Sequence, residues 1–281
     1  MRTFTKVWIG IALMAFGFGI AILGIAFVIG NNTGRTPFEE TSFQESYKDV
    51  ESIDLQVCYG KVIVKKGDTF SIEATHVVKD SIKSYVENGT WYIEEDPYNN
   101  RNLFGFNISL GNIGFWNRDY NPTIVVTVPE SFEAENFDID VDAGDVQIES
   151  MISKNGTISV GAGRLNVDHI KIDNSSSYRV DAGKMTLNDV ELKDISLDCG
   201  VGQININGVV TGDSDLSCDV GKIELSLEGS SKDYSYDIST DIGKVMIDGR
   251  SYYNEITTID NGTGNSLNLT CGVGKITVDF Q

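Results

Sequence analysis

Along the second half of the chain, apolar and polar residues alternate in a phrase that keeps restarting. It reads IDVDAGDVQI at Ile139–Ile148, ISVGAGRLNV at Ile158–Val167, YRVDAGKMTL at Tyr178–Leu187 and LDCGVGQINI at Leu197–Ile206. It continues as LSCDVGKIEL at Leu216–Leu225, ISTDIGKVMI at Ile238–Ile247 and LTCGVGKITV at Leu269–Val278. A looser copy, LQVCYGKVIV, lies upstream at Leu55–Val64. The central glycines of the seven close copies are Gly144, Gly163, Gly183, Gly202, Gly221, Gly243 and Gly274, at steps of 19, 20, 19, 19, 22 and 31 residues. Self-similarity at a period of about 20–50 residues marks a solenoid or an array.

Counted from each glycine, apolar residues fill positions −5, −3 and −1, then +2 and +4. Period-two alternation predicts strand. The parity changes at the glycine, and a flat strand cannot do that, because a one-residue slip turns every side chain to the other face. Each copy therefore reads as strand, corner, strand. On this reading the −1 column points inward with −3 and −5, and the glycine supplies a positive φ at the corner. A further apolar column at +7 (Met151, Ile170, Val190, Val209) predicts a third inward segment in the early turns. Gly/Asn/Ser runs at Lys154–Thr157 and Asp173–Ser177 close the coil. The predicted fold class is all-β: a single-stranded, β-helix-like β-solenoid with rungs of about 19–22 residues and a core of stacked Val, Ile and Leu. A β-sandwich is the rival, since many short strands with turn signals also fit it.

Upstream the pattern changes. Val7–Gly30 is an uncharged run of 24 residues preceded by Arg2 and Lys6. About 20 apolar residues span a bilayer core as a helix, and the flanking charges place the N-terminus in the cytoplasm. A cleaved signal peptide is the alternative. The expected organisation is a cytoplasmic N-terminus 1–6, a transmembrane helix 7–30, a juxtamembrane tether 31–49, an N-terminal β segment and cap 50–135, and solenoid repeats 136–281. Strands are expected at Ser52–Val64, Thr69–Ala74, Thr90–Glu94 and Thr123–Val128. The segment 97–121 interrupts the cap and carries Tyr98, Phe104, Phe106, Phe115, Trp116 and Tyr120, a candidate partner-binding loop. Because the chain as given stops soon after Val278, the last copy is expected to form an open end, covered by the insertion Asp248–Ser266 with Tyr252, Tyr253 and Ile256, with end-to-end association of two solenoids as the alternative.

The formal charge of −19 makes nucleic acid a poor partner. Beside the corner, however, position +1 is mostly basic. Arg164, Lys184, Lys222, Lys244 and Lys275 form a candidate outward column that could follow an anionic polymer, while Asp142, Asp181, Asp219 and Asp241 recur at −2. The plainer reading is a solvated edge where Asp and Lys relieve like-charge stacking. Cys199, Cys218 and Cys271 share the −3 column and read as small buried apolar residues, with a Cys199–Cys218 disulfide as the alternative; Cys58 falls at −2 of the loose copy. No C-x-x-C pair, Walker loop, G-x-S-x-G or H-E-x-x-H occurs, so no cofactor, metal or catalytic residue is assigned and no enzyme is expected.

The repeated D-[AV]-G-[KRQ]-[ILMV]-x-[ILV] phrase, with TIVVTVP at Thr123–Pro129 and the N-terminal apolar run, resembles a bacterial family labelled "putative adhesin", a domain of unknown function. The resemblance covers Val50 to Gln281. It implies a single-stranded β-solenoid on the bacterial cell surface, in some members beside cell-envelope stress systems, and it brings no catalytic residues. Two functions are therefore expected. One is a membrane-anchored, extracytoplasmic adhesion or scaffold module that contacts an envelope polymer or a membrane protein. The other is an accessory regulator or sensor of an envelope stress system. The oligomeric state stays open.

Overall fold

A computed structural model describes residues 40–95, 101–103, 106–108 and 122–281. The run 7–30 and most of the aromatic loop lie outside them. Among the described residues no helix is long and apolar enough to cross a membrane.

Strands stack in parallel and in register, as a solenoid requires and a sandwich does not. Before the corner, Ile158 lies beside Ile139 on one side and Tyr178 on the other. After it, Leu165 lies between Val146 and Met185. Like residues therefore share a column, and a rung that could not bury its own apolar face is covered by its neighbours. The +2 residues Val146, Leu165, Met185, Ile204, Ile223, Ile276 and Val245 are all 0% exposed. Burying each such side chain stabilises the fold by about 1.5–3 kcal/mol.

The third inward segment is present in the early turns, where Met151, Ile170 and Val190 are buried. In the next turn Val190 pairs with Gly208 after a register shift. Gly208 and Val210 then face the core and Val209 is only half-buried, so the expected +7 column moves by one residue there.

The corner differs from expectation in two ways. Among the copy-centre glycines only Gly60 has a positive φ, 125°. The others are required by space: a Cβ on Gly163 would lie 2.4 Å from the Gly144 carbonyl oxygen, and one on Gly183 would lie 2.3 Å from that of Gly163. Backbone rests on backbone along the column, with Lys184 N–H donating to the Gly163 carbonyl. The second difference is the −1 column, which points outward. Ala162 and Ala182 are exposed, as are Val201 (68%), Val220 (56%), Val273 (56%) and Ile242 (83%). A corner has a concave and a convex side; packed glycine backbone occupies the concave side, and the −1 side chain is left on the convex one.

The last copy is not the end of the stack. Strand Ser266–Cys271 pairs with Asp213–Cys218 on one side and Ser235–Thr240 on the other. Lys275–Phe280 likewise lies between Lys222–Leu227 and Lys244–Ile247. The terminal rung is the preceding copy, Ile238–Ile247. The insertion does cover the end, but it covers this rung: Arg250–Tyr253 pairs antiparallel with Lys244–Ile247, and Ile256–Ile259 with Ser235–Thr240. Of the three apolar residues expected to seal it, Tyr252 is buried, whereas Tyr253 and Ile256 are exposed.

At the opposite end, Ser52–Gly67 stacks on Glu133–Ile148. Its other side meets Thr90–Glu95 before the corner and Thr123–Pro129 after it, a rung split by the loop. Antiparallel strands Ile82–Glu87 and Phe70–Val78 close that end, and Glu40–Tyr47, expected as part of a tether, adds a further strand to Phe70–Val78. Trp91, 0% exposed, packs there against Tyr47 (ring centroids 5.0 Å apart) and Phe70 (6.1 Å). Among the described residues, antiparallel strands thus lie on both ends of the stack.

Candidate functional site

The chemistry-bearing columns gather on one edge of the solenoid, the corner from −2 to +1. In spatial order the −2 column reads Asp142, Gly161, Asp181, Gly200, Asp219, Gly272, Asp241. Aspartate thus recurs on every second rung, about 9–10 Å apart at a strand spacing of about 4.8 Å. The glycines between them accept the approach of their neighbours: a Cβ on Gly161 would stand 2.6 Å from the Asp142 carbonyl oxygen, and one on Gly200 2.8 Å from that of Asp181.

The next column outward is the apolar one, graded in space as Ala143, Ala162, Ala182, Val201, Val220, Val273, Ile242. On the far side of the glycines the +1 column runs Asp145, Arg164, Lys184, Gln203, Lys222, Lys275, Lys244. All five predicted basic residues therefore share one line. Lys222 pairs with Glu224 at 2.6 Å, both groups well exposed, and the Lys244 ammonium stands 5.2 Å from the centre of the Tyr253 ring. Arg164 and Lys184 are exposed.

At the N-terminal end the described strands of the split rung, Thr90–Glu95 and Thr123–Pro129, lie on either side of the Cys58–Gly60 corner. There the Glu95 carboxylate accepts the Cys58 and Tyr59 N–H groups at 2.9 Å each, whereas the equivalent Gly161 and Ala162 N–H groups donate to the carbonyls of Val141 and Asp142. Burial pushes the Glu95 carboxyl above the usual range, while these two N–H bonds pull it down and the Asp142 charge adds to the rise. Burial, with the Glu95 and Asp142 charges, pushes the Cys58 thiol up to about 12, so it is not a reactive thiolate. On the other side of the corner, the Pro122 carbonyl accepts the Lys61 N–H at 2.9 Å. Tyr98, Phe104, Phe115, Trp116 and Tyr120 lie outside the described residues. Phe106 is described only as backbone, in a short strand Phe106–Ile108 paired with Arg101–Leu103.

Cys199, Cys218 and Cys271 occupy three successive rungs, all buried as free thiols. The Cys199 contact and burial push the Cys218 thiol up, and burial does the same for Cys271. Among the described residues no three His, Cys, Asp or Glu side chains come together to hold a metal.

Two features of the edge went unread in the sequence: the outward apolar row and the Glu95 plug. The row had a signal. Its residues grow from Ala through Val to Ile in spatial order, whereas the +2 column mixes sizes freely.

The Toastrack DUF4097 family profile matches residues 50–260. Among curated proteins no match is found. Several solved structures are similar. A putative adhesin from Bacteroides fragilis aligns at TM-score 0.43 and 13% identity over 85% of this chain and 97% of that one. A putative adhesin from Parabacteroides distasonis aligns at 0.40 and 12%, over 87% and 98%. A putative cell adhesion protein from Clostridium sporogenes aligns at 0.37 and 14%, over 86% and 100%.

Proposed function

The chain belongs to the Toastrack DUF4097 family, and from that premise we propose a non-catalytic adhesion or scaffold module of the bacterial cell envelope. In this reading the run 7–30 anchors it in the membrane, with the solenoid outside the cytoplasm and the corner edge as its contact surface. Arg2 and Lys6 before an uncharged 24-residue run support that orientation.

The observation that carries the contact surface is the exposed apolar row. Val201, Val220, Val273 and Ile242 are each more than half exposed and stand on consecutive rungs. The fold does not need them to be apolar, since they bury little. A contiguous exposed apolar row rimmed by charged residues, unlike single scattered apolar residues, is a candidate interaction site. The basic column beside it adds orientation and encounter rate more than affinity.

The test is crosslinking and pull-down of the full-length protein from native membranes, compared with Val201→Ser/Val220→Ser/Val273→Ser. These positions are exposed, so the variant should melt with the parent, within about 0.5 kcal/mol per site. Loss of the captured partners at unchanged stability is the expected result. An unchanged set of contacts would remove the edge from the binding surface.

A further inference from the structure

Resting on the reading of the corner edge as a contact surface, the geometry points to a second copy of this chain as its occupant. The two solenoids lie parallel about a two-fold axis that runs along the stack.

Three properties of the edge lead there. The first is sign. The apolar row is flanked by acidic residues on the −2 side (Asp181, Asp219, Asp241) and basic residues on the +1 side (Lys184, Lys222, Lys275, Lys244). A rotation of 180° about the solenoid axis turns the second copy so that its −2 column faces the first copy's +1 column. Lys222 then meets Asp219 of the second copy, and the reverse contact follows by symmetry. An antiparallel pair would set lysine against lysine.

The second property is period. Parallel rungs repeat at about 4.8 Å, and a second copy laid parallel repeats in step with the row, so that Val201, Val220 and Val273 each meet their own counterpart. The third is the poor fit of the main rival. An anionic polymer or lipid surface reading the lysines would also meet the Asp column, on a chain whose net charge is −19. Like charges so placed cost several kcal/mol.

The Lys222–Glu224 pair within one rung is no obstacle. Both groups are solvent-exposed, and an exposed pair of this kind contributes little. The row is narrow, below the roughly 1,000 Å² that a stable interface in water buries. Pairing therefore depends on confinement. A parallel arrangement directs both N-terminal ends the same way, as two tethers in one membrane require, and confinement raises the effective concentration of the second copy.

The experiment uses the full-length protein in native membranes, in a Cys58→Ser background where the three remaining thiols are buried. Val220→Cys and Val273→Cys are oxidised under mild conditions, with Asn207→Cys, exposed on the strand after the corner, as the control. Disulfide-linked dimer is expected from the first two well above the control. Adding Lys222→Glu to Val220→Cys should lower its yield about tenfold or more, and combining Lys222→Glu with Asp219→Lys should restore it. Dimer no more abundant than in the control overturns the proposal. So does a benzophenone tag at Val220→Cys that attaches to another protein or to lipid instead of to the same chain. Those two results leave the edge as a contact surface. Only the unchanged contacts of the triple serine variant would remove both readings.

Discussion

Gly274 rests on Gly221, although Gly243 stands between them in the chain. A Cβ on Gly274 would lie 2.3 Å from the Gly221 carbonyl oxygen, and one on Gly243 would lie 2.9 Å from that of Gly274. This column of glycines holds the rungs at strand spacing around the corner, and it gives the first prediction. Gly202→Ala would press a methyl group 2.4 Å from the Gly183 carbonyl oxygen and 2.5 Å from Val180 Cγ1. Neither the backbone nor a β-branched core residue yields easily, so the cost should be about 1–3 kcal/mol. Gly264→Ala has nothing within 4 Å and should be neutral. Chemical denaturation of the two variants makes the comparison; equal midpoints would contradict the close-approach explanation.

The two faces of a rung give a second prediction. Ile204 is 0% exposed between Met185 and Ile223. Ile204→Asp places an unpaired charge in a dry stack and should cost about 3–5 kcal/mol, as breaking a buried pair does. Lys222→Ala, on the outward column, should cost less than about 0.5 kcal/mol. Similar losses of melting temperature would mean that the faces are assigned wrongly.

These faces were legible because alternation at +2 and +4 has one physical cause, burial. The −1 column misled because alternation continued in letters where the backbone had already bent away, so Val220 reads as core and stands in water. The swapped order of the last two rungs was unread for a different reason: a repeat says that units stack, not that they stack in chain order. The clue was present in the residues. Placed in chain order the −2 column ends Asp219, Asp241, Gly272; in spatial order the Asp/Gly alternation holds to the end, and Cys199, Cys218 and Cys271 become contiguous. The Glu95 plug had no clue, because it acts on Cys58 and Tyr59, N–H groups far away in the chain.

Glu95 makes a third prediction. Its carboxyl is raised in the folded chain, chiefly by burial. Between the unfolded value, about 4.3, and the raised folded one, the folded chain binds more protons, so this group's contribution to stability falls as pH rises through that window. Glu95→Gln keeps an acceptor oxygen for Cys58 and Tyr59 and removes the titration. The melting-temperature difference, parent minus Glu95→Gln, should therefore decrease from pH 4 to pH 7. A difference that grows with pH would show that the two N–H bonds outweigh burial and hold the carboxylate ionised.

The cysteine column makes a fourth. Directly stacked residues in parallel strands sit about 4.8 Å apart, and their Cβ atoms are held near that spacing, beyond the 3.5–4.5 Å of a relaxed disulfide. Cys199, Cys218 and Cys271 should remain thiols, blocked to alkylation in the native protein and fully alkylated after denaturation without reductant. Mass spectrometry of the labelled peptides decides. A Cys199–Cys218 or Cys218–Cys271 linked peptide would mean that the rungs close up locally.

The order of the rungs gives the last prediction. If the copy Leu269–Val278 were the end of the stack, removing it would cost one rung and leave the rest covered. In the observed order it lies between Leu216–Leu225 and Ile238–Ile247, joined to both through in-register strands. Deleting Asn265–Gln281 therefore also strips the terminal rung of its parallel partners, along with the covers Arg250–Tyr253 and Ile256–Ile259 that hang from it. It opens the buried Leu216, Cys218, Ile223 and Leu225 to water at the same time. Stability in a stacked array is roughly a sum of neighbour interfaces, and here two interfaces are lost for one rung removed. Hydrogen exchange of the full-length chain and the truncated one should accordingly show loss of protection across the whole of 213–259, well beyond the deleted strands. Protection retained at Tyr236, Ile238 and Val245 in the truncated chain would mean that the terminal rung docks on Leu216–Leu225 directly, and that the inserted position of the last copy is dispensable.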